Sequence, residues 1–365
     1  MTELTHTVED ATLSLRSPAT VMDLERLGSF SPTRLSFARR LTRLMFEQQW
    51  QVSRSQFELD EKGHGFAIYC LQTPAYRYHV VVFSRHLEDA QRTDRVIAEA
   101  WDLTFCLLEG EVDAELMSAL SANVPLQEAG RQHPRLLVIS RANKSVRAFA
   151  TVSAALASGQ QPDIDHLKEA GYLYRTTAVY GNGKFGIADF DRLKGYQDFW
   201  QPFSAQMAAV YMLREFSVDQ VEHIARQRGP GHAVALHPDA RRYLGIGNST
   251  GLGMAPFLIN HPQLISQWVW VRERALAVSV AQPPSEQDRD RMLALCHRAA
   301  AYLADTHVED APQRVRNSEA HEELTQVLAW LELVPLDEAL WQQLLDWAQT
   351  QLSLETQELL NTLLI

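Results

Sequence analysis

The chain has 365 residues, 46% of them hydrophobic and 22% charged, with a formal net charge of −11. These proportions suit a folded chain with a large core and room for two domains, and argue against intrinsic disorder. The negative balance excludes broad, non-specific nucleic-acid binding, which needs a basic surface, but is compatible with a local basic pocket.

The opening "MTELTHTVEDATLSLRSP" lacks a basic start followed by an apolar core, so no signal peptide is expected. No run approaches ~20 uninterrupted apolar residues, so no membrane span is expected and the cytoplasm is the default location. Residues 1–30 are polar and weakly periodic and read as a loosely packed lead-in. "SPTRLSFARRLTRLMFEQQW" then reads as a helix, with Ser31 as its cap, Pro32 in its first turn, and Leu35, Leu41, Leu44 and Met45 on its apolar face.

Strands follow. "WQVSRSQFEL", "GFAIYCLQ", "YRYHVVVFS" and "WDLTFCLLEG" are rich in β-branched and aromatic residues, and their close spacing predicts an antiparallel sheet. "RLLVIS", residues 135–140, is continuously apolar and suits a central strand. Residues 143–158 carry Val146, Phe149, Val152 and Leu156 at helical spacing, with Gly159 as the stop. "GQQPDID" at 159–165 is the best linker candidate. Beyond it "YLYRTTAVYGNGKFGIADF" reads as two strands joined at Gly181–Gly183.

Helices dominate after residue 198. Ser217 and Gln220 read as a capping box, Gly229-Pro230 as the stop, and Ser285 as the cap of a helix holding Met292, Leu293, Cys296 and Leu303. The last helices carry Trp330, Trp341 and Trp347. The expected fold is α+β, a mixed helix and antiparallel-sheet region followed by a mainly helical half. The expected divisions are the lead-in, an α+β domain over 31–165, and a hairpin plus helical domain over 166–365.

The three cysteines, Cys70, Cys106 and Cys296, form no CxxC and no disulfide framework. Cys106 and Cys296 read as buried small hydrophobes, although Cys296 beside His297 is a candidate thiol. No HxH or HExxH spacing supports zinc, and no GxSxG element supports an α/β-hydrolase.

Two glycine-rich segments are the candidate chemistry. In the first, strict strand alternation sets Tyr172, Tyr174, Thr176 and Tyr180 on one face, and Arg175 with Leu173 and Val179 on the other. A guanidinium among apolar neighbours needs a carboxylate or an anionic ligand, and Lys184 just after the turn adds a second cation. "GNGKFG" lacks the Walker A spacing. The second, "GIGNSTGLGMAPFL", has four glycines between Gly245 and Gly253, beside Arg241 and Arg242. Gly245, Gly247 and Gly251 fit a variant dinucleotide spacing, but "HPDARRY" before them is not the strand that such a turn requires. The same objection weakens a loop for S-adenosylmethionine. A pyridoxal-phosphate enzyme needs a Schiff-base lysine that Lys184 does not supply, so the cofactor stays unassigned.

What remains is a glycine-rich loop opening a helix near 251–255, with free backbone N–H groups and the side chains of Asn248, Ser249 and Thr250. His237 and His261 flank it as candidate general bases. Within the following apolar helix, Arg272-Glu273-Arg274 is either an exposed stripe or reaches into a pocket. The leading expectation is an enzyme acting by acid–base chemistry on a small carboxylate- or phosphate-bearing metabolite. Arg175, Lys184, Arg242, Gly247, Asn248, Ser249 and Thr250 would bind the ligand, and His237 or His261 would move a proton. The rival is a non-catalytic ligand sensor or a helical scaffold, its C-terminal tryptophans forming a partner or homo-oligomer surface.

Overall fold

The computed structural model describes residues 16, 20, 24–29, 36–88, 100–126, 133–181, 183, 193–200, 203–241, 243–248, 262–308 and 311–365, with backbone alone for some, including 36–40, 248 and 262–270. In chain order the elements are α1 (Leu24–Ser29), α2 (Ser36–Glu47), β1 (Gln51–Leu59), β2 (Gly65–Gln72), β3 (Arg77–Ser84), β4 (Leu103–Glu109), α3 (Ala114–Asn123), β5 (Leu136–Lys144), α4 (Val146–Ala157), α5 (Ile164–Ala170), β6 (Tyr172–Gly181), α6 (Ser204–Arg228), α7 (Pro238–Arg241), β7 (Gly245–Asn248), α8 (Pro262–Ala281), α9 (Glu286–Asp305), α10 (Ala311–Leu333), α11 (Leu340–Gln351) and α12 (Leu354–Leu364). The protein is α+β. It divides into a sheet unit, Leu35–Trp268, and a helical unit made of Met1–Arg34 and Val269–Ile365. The segment 159–165 therefore lies inside the sheet unit, because β5 and β6 on either side of it are hydrogen-bonded neighbours.

The seven strands lie in sequence order. β1 to β6 form an antiparallel meander, and β7 joins β6 in parallel. Antiparallel neighbours need only short turns, whereas a parallel pair needs a long crossover. That crossover contains α6, a 25-residue helix buried along most of its length, from Ala205 to Ala225. Helix α6 packs against α4 and α2 as well as the sheet, which explains apolar residues on nearly all its sides. On the opposite sheet face, Ile68, Val81, Cys106 and Ile139 pack with Leu116 and Leu120 of α3.

Ser217 and Gln220 are not a capping box. The helix begins at Ser204, and both residues are fully buried in its middle. The Gln220 amide donates to the Gly63 carbonyl (2.6 Å) and Ser84 Oγ (2.9 Å) and accepts from the Tyr174 hydroxyl (2.6 Å). The Tyr69 hydroxyl donates to Asp219 (2.5 Å), so α6 is keyed to β2, β3 and β6 by polar bonds inside an apolar interface.

In the helical unit, Ser285 does cap α9, with Asp288 completing a capping box. Met292, Cys296, Leu324, Leu331, Leu344 and Leu360 form its core. Trp341 is buried, and Trp330 stacks on Trp347 with centroids 5.7 Å apart. The lead-in is not loose at its described arginines, since Arg16 and Arg26 are ion-paired to Glu273 and Glu358. Ser31, Pro32 and Leu35 lie outside the described residues. Among the described residues no helix is long and apolar enough to cross a membrane.

Gln220→Ala removes the buried hydrogen bonds to the Gly63 carbonyl and Ser84 Oγ and the one from the Tyr174 hydroxyl. It is expected to destabilise the sheet unit by about 2 kcal/mol or more, whereas Gln56→Ala on exposed β1 should stay within about 0.5 kcal/mol. Urea denaturation of the two variants checks this.

Candidate functional site

Strand pairing brings the two glycine-rich segments side by side. β6 and β7 run in parallel, with Arg175 opposite Gly247 and Thr176 opposite Asn248. Gly245–Asn248 is thus a strand and not a loop, and the Thr176 hydroxyl donates to the Gly247 carbonyl (3.3 Å). The Tyr174 side chain points toward the helices, against Phe149 and Gln220. Arg175, the next residue, lies on the other face. It is half-buried and makes no ion pair or hydrogen bond among the described residues.

Strict alternation along β6 does not hold, because the register shifts between Tyr172 and Tyr174 and again opposite Ser140/Ala142. As a result Tyr172 shares the Arg175 face. A Cβ on Gly247 would meet the Tyr172 ring at 2.9 Å, so this glycine makes room for an aromatic ring. Asn143 pairs with Arg175 from β5, and Arg141, two residues before it on the same face, stacks over Trp101 at 4.4 Å. Thr104, opposite Arg141, is buried, and its hydroxyl has no hydrogen-bond partner among the described residues. Two guanidiniums, an amide, a hydroxyl and a tyrosine ring therefore line one end of a sheet face.

Of the residues expected to act here, Arg175, Gly247 and the backbone of Asn248 are adjacent. Lys184, Arg242, Ser249, Thr250 and His261 lie outside the described residues, as does the second strand of the expected hairpin. β6 runs through Gly181, and Gly183 at φ +64° still donates to the Leu137 carbonyl (3.2 Å). His237 is described and is 61% exposed, with Nδ1 3.6 Å from Asp239 at the start of α7. The entry to β7 is held instead by Arg214 and Glu215, which belong to neither glycine-rich segment. Arg214 of α6 donates to the carbonyls of Arg241 (2.6 Å) and Leu244, and Glu215 pairs with both Arg214 and Arg241. A charged pair in the middle of an apolar helix was the available signal. Cys296 is no nucleophile beside His297: burial pushes its thiol up to about 12, and His297 is exposed.

The helical unit holds a second polar constellation. Arg272 and Glu273, read as an exposed stripe or a pocket contact, are both buried. Arg16 donates to both Glu273 oxygens (2.5 and 2.7 Å) and to Glu358 (3.0 Å), and Arg26 donates to the same Glu358 oxygen. Arg272 lies 2.8 Å from the other Glu358 oxygen, in an ion contact whose angle does not make a hydrogen bond. Burial pushes the Glu358 carboxyl up, but the charges of Arg16 and Arg272 outweigh this and hold it below its ordinary value.

The chain matches no family model, no curated protein and no solved structure. Among the described residues, no group of three or more His, Cys, Asp or Glu side chains could hold a metal ion.

Gly247→Ala is expected to destabilise by about 1–3 kcal/mol through overpacking against Tyr172. In the Tyr172→Ala background the same change should cost much less, which a double-mutant cycle by urea denaturation measures. For Glu358, a folded-state pKa below the ordinary 4.5 means that its stabilising contribution is complete above that pH and is lost as the pH falls through the lower folded value. Hydrogen-exchange protection factors in α8 and α12, taken relative to intrinsic exchange at each pH, should therefore fall below pH 4.5. Glu358→Gln should flatten that response while destabilising the unit at neutral pH by about 3 kcal/mol or more.

Proposed function

We propose that the sheet unit binds a small anionic ligand, carboxylate- or phosphate-bearing, on the face that carries Arg175. The supporting observation is the Arg175 guanidinium: half-buried in mid-strand, between Asn143 and Gly247, with no carboxylate partner among the described residues. A guanidinium withdrawn from bulk water needs an acceptor, and its planar fork matches carboxylate and phosphate oxygens. Arg141 contributes a second cation on the same face, and Tyr172 a flat apolar surface. Lys184, Arg242, Asn248, Ser249 and Thr250 are the further contacts assigned to this ligand, in or near segments that adjoin β6 and β7 in the chain.

The enzymatic form of this reading adds acid–base chemistry on the bound anion. His237, exposed and turned to Asp239, is poorly placed to work on a ligand held out of water, so the proton-transfer role is assigned to His261. A ligand sensor shares the binding step and lacks the turnover. The scaffold reading loses its main support, because Trp341 is buried and Trp330 and Trp347 cover each other.

A thermal-shift screen against phosphates, nucleotides and carboxylates tests the proposal. A ligand at about 100 times its Kd should stabilise the protein by ~2.7 kcal/mol. That shift should vanish in Arg175→Ala and persist in Arg226→Ala, a change at an exposed position on α6. Stabilisation that survives Arg175→Ala, or none from any anion, refutes the site. Turnover of a confirmed ligand that His261→Ala abolishes without loss of binding separates enzyme from sensor.

A further inference from the structure

The helical unit contains a cavity of about 700 Å³, within the range of about 300–1,000 Å³ usual for small-molecule sites. Residues of α8, α11 and α12 line it, together with Arg16, Thr20 and Arg26. The lining is of two kinds. Leu276, Val280, Leu345 and Leu354 are apolar, whereas Arg26 and Asn361 present N–H groups.

Asn361 is the residue that points to a ligand. It is only 5% exposed, it lines the cavity, and its amide makes no hydrogen bond among the described residues. Buried amides are as a rule satisfied, and the polar neighbours on α12 are: Gln357 donates to the Leu352 carbonyl and Thr362 to that of Glu358. Among the described residues Arg26 in turn hydrogen-bonds through Nη1 alone, to a Glu358 oxygen that it shares with Arg16. The carboxylates nearby are already engaged. Both Glu273 oxygens accept from Arg16, and both Glu358 oxygens face guanidiniums. Of the described charged residues that line the cavity, the two arginines, Arg16 and Arg26, outnumber the one carboxylate, Glu273.

We propose that this cavity binds a small monocarboxylate with an apolar body. The carboxylate accepts hydrogen bonds from the unused N–H groups of Arg26 and from the Asn361 amide. The body packs on Leu276, Val280, Leu345 and Leu354. An anion balances the surplus cation, gives the Asn361 amide an acceptor, and covers apolar side chains that otherwise face the cavity. This site lies in the other unit from Arg175 and stands independently of the function proposed there.

Calorimetric titration of the full chain with octanoate, and separately with octanol, tests it. Octanoate should bind saturably at one site, and octanol at least about tenfold more weakly, since it lacks the charge. Arg26→Gln and Asn361→Leu should each weaken octanoate by about tenfold and leave octanol unchanged. Arg175→Ala should leave octanoate binding intact, so that the two sites fail or stand separately. Equal affinity for octanoate and octanol, no octanoate binding at millimolar concentration, or unchanged octanoate affinity in a folded Asn361→Leu would each overturn the proposal. The octanoate–octanol comparison on the unaltered chain decides even if a variant does not fold.

Discussion

A primary amide offers two N–H donors and a carbonyl acceptor, and Gln220 uses both its ends on parts of the chain that are remote in sequence. It bonds the turn after β1 at Gly63, the end of β3 at Ser84, and β6 at Tyr174. Inside an apolar interface such bonds have no water to compete with them, and leaving any of them unmade is unfavourable. They fix where α6 lies on the sheet. They also fix which way β6 is turned: with the Tyr174 hydroxyl committed to the helix side, strand alternation sends Arg175 to the opposite face. The placement of the candidate anion-binding guanidinium thus depends on a neutral amide on the other side of the sheet.

The two units handle buried polarity differently. The sheet unit meets single buried charges with neutral groups: Thr73 and Tyr78 donate to buried Asp198, and Arg214 ties two backbone carbonyls at the entry to β7. The helical unit buries full charges. Desolvating them is unfavourable unless every charge is met by another, and Glu358 is met by Arg16, Arg26 and Arg272 together. Such a cluster joins the N-terminal segment to α8 and to the last helix through pairs more than 250 residues apart in sequence, Arg16 with Glu273 (|i−j| = 257) and Arg16 with Glu358 (|i−j| = 342).

Much of the sheet was legible because its signals are local. β-branched and aromatic residues in closely spaced runs marked β1 to β4, and the continuous apolar run marked β5 as central. The helix stops at Gly159 and Gly229 and the cap at Ser285 were read in the same way. Ser217 and Gln220 show where such reading fails. Ser-x-x-Gln before an apolar run is the same local pattern whether it opens a helix or sits within one. Only the contacts of α6 with the sheet decide between the two. The glycines at 245 and 247 raised the same difficulty. Their spacing suggested a loop that cradles a ligand, whereas Gly247 lies in a strand and gives way to the Tyr172 ring.

By itself the sequence determined the α+β class, the strand-rich and helical halves, the burial of Cys106 and Cys296, and the expectation that Arg175 and the Gly245 segment belong together. These follow from composition and from periodicities of two and 3.6 residues, which a chain carries wherever it folds. The tertiary structure decided that β7 runs parallel to β6, that Tyr172 shares the Arg175 face, and that Arg16 and Arg26 belong with Glu273 and Glu358. It also decided that Asn361 is buried beside a cavity, with no partner for its amide among the described residues. Register shifts, crossovers and ion pairs between distant residues depend on which surfaces meet, and no local pattern in the chain encodes that meeting.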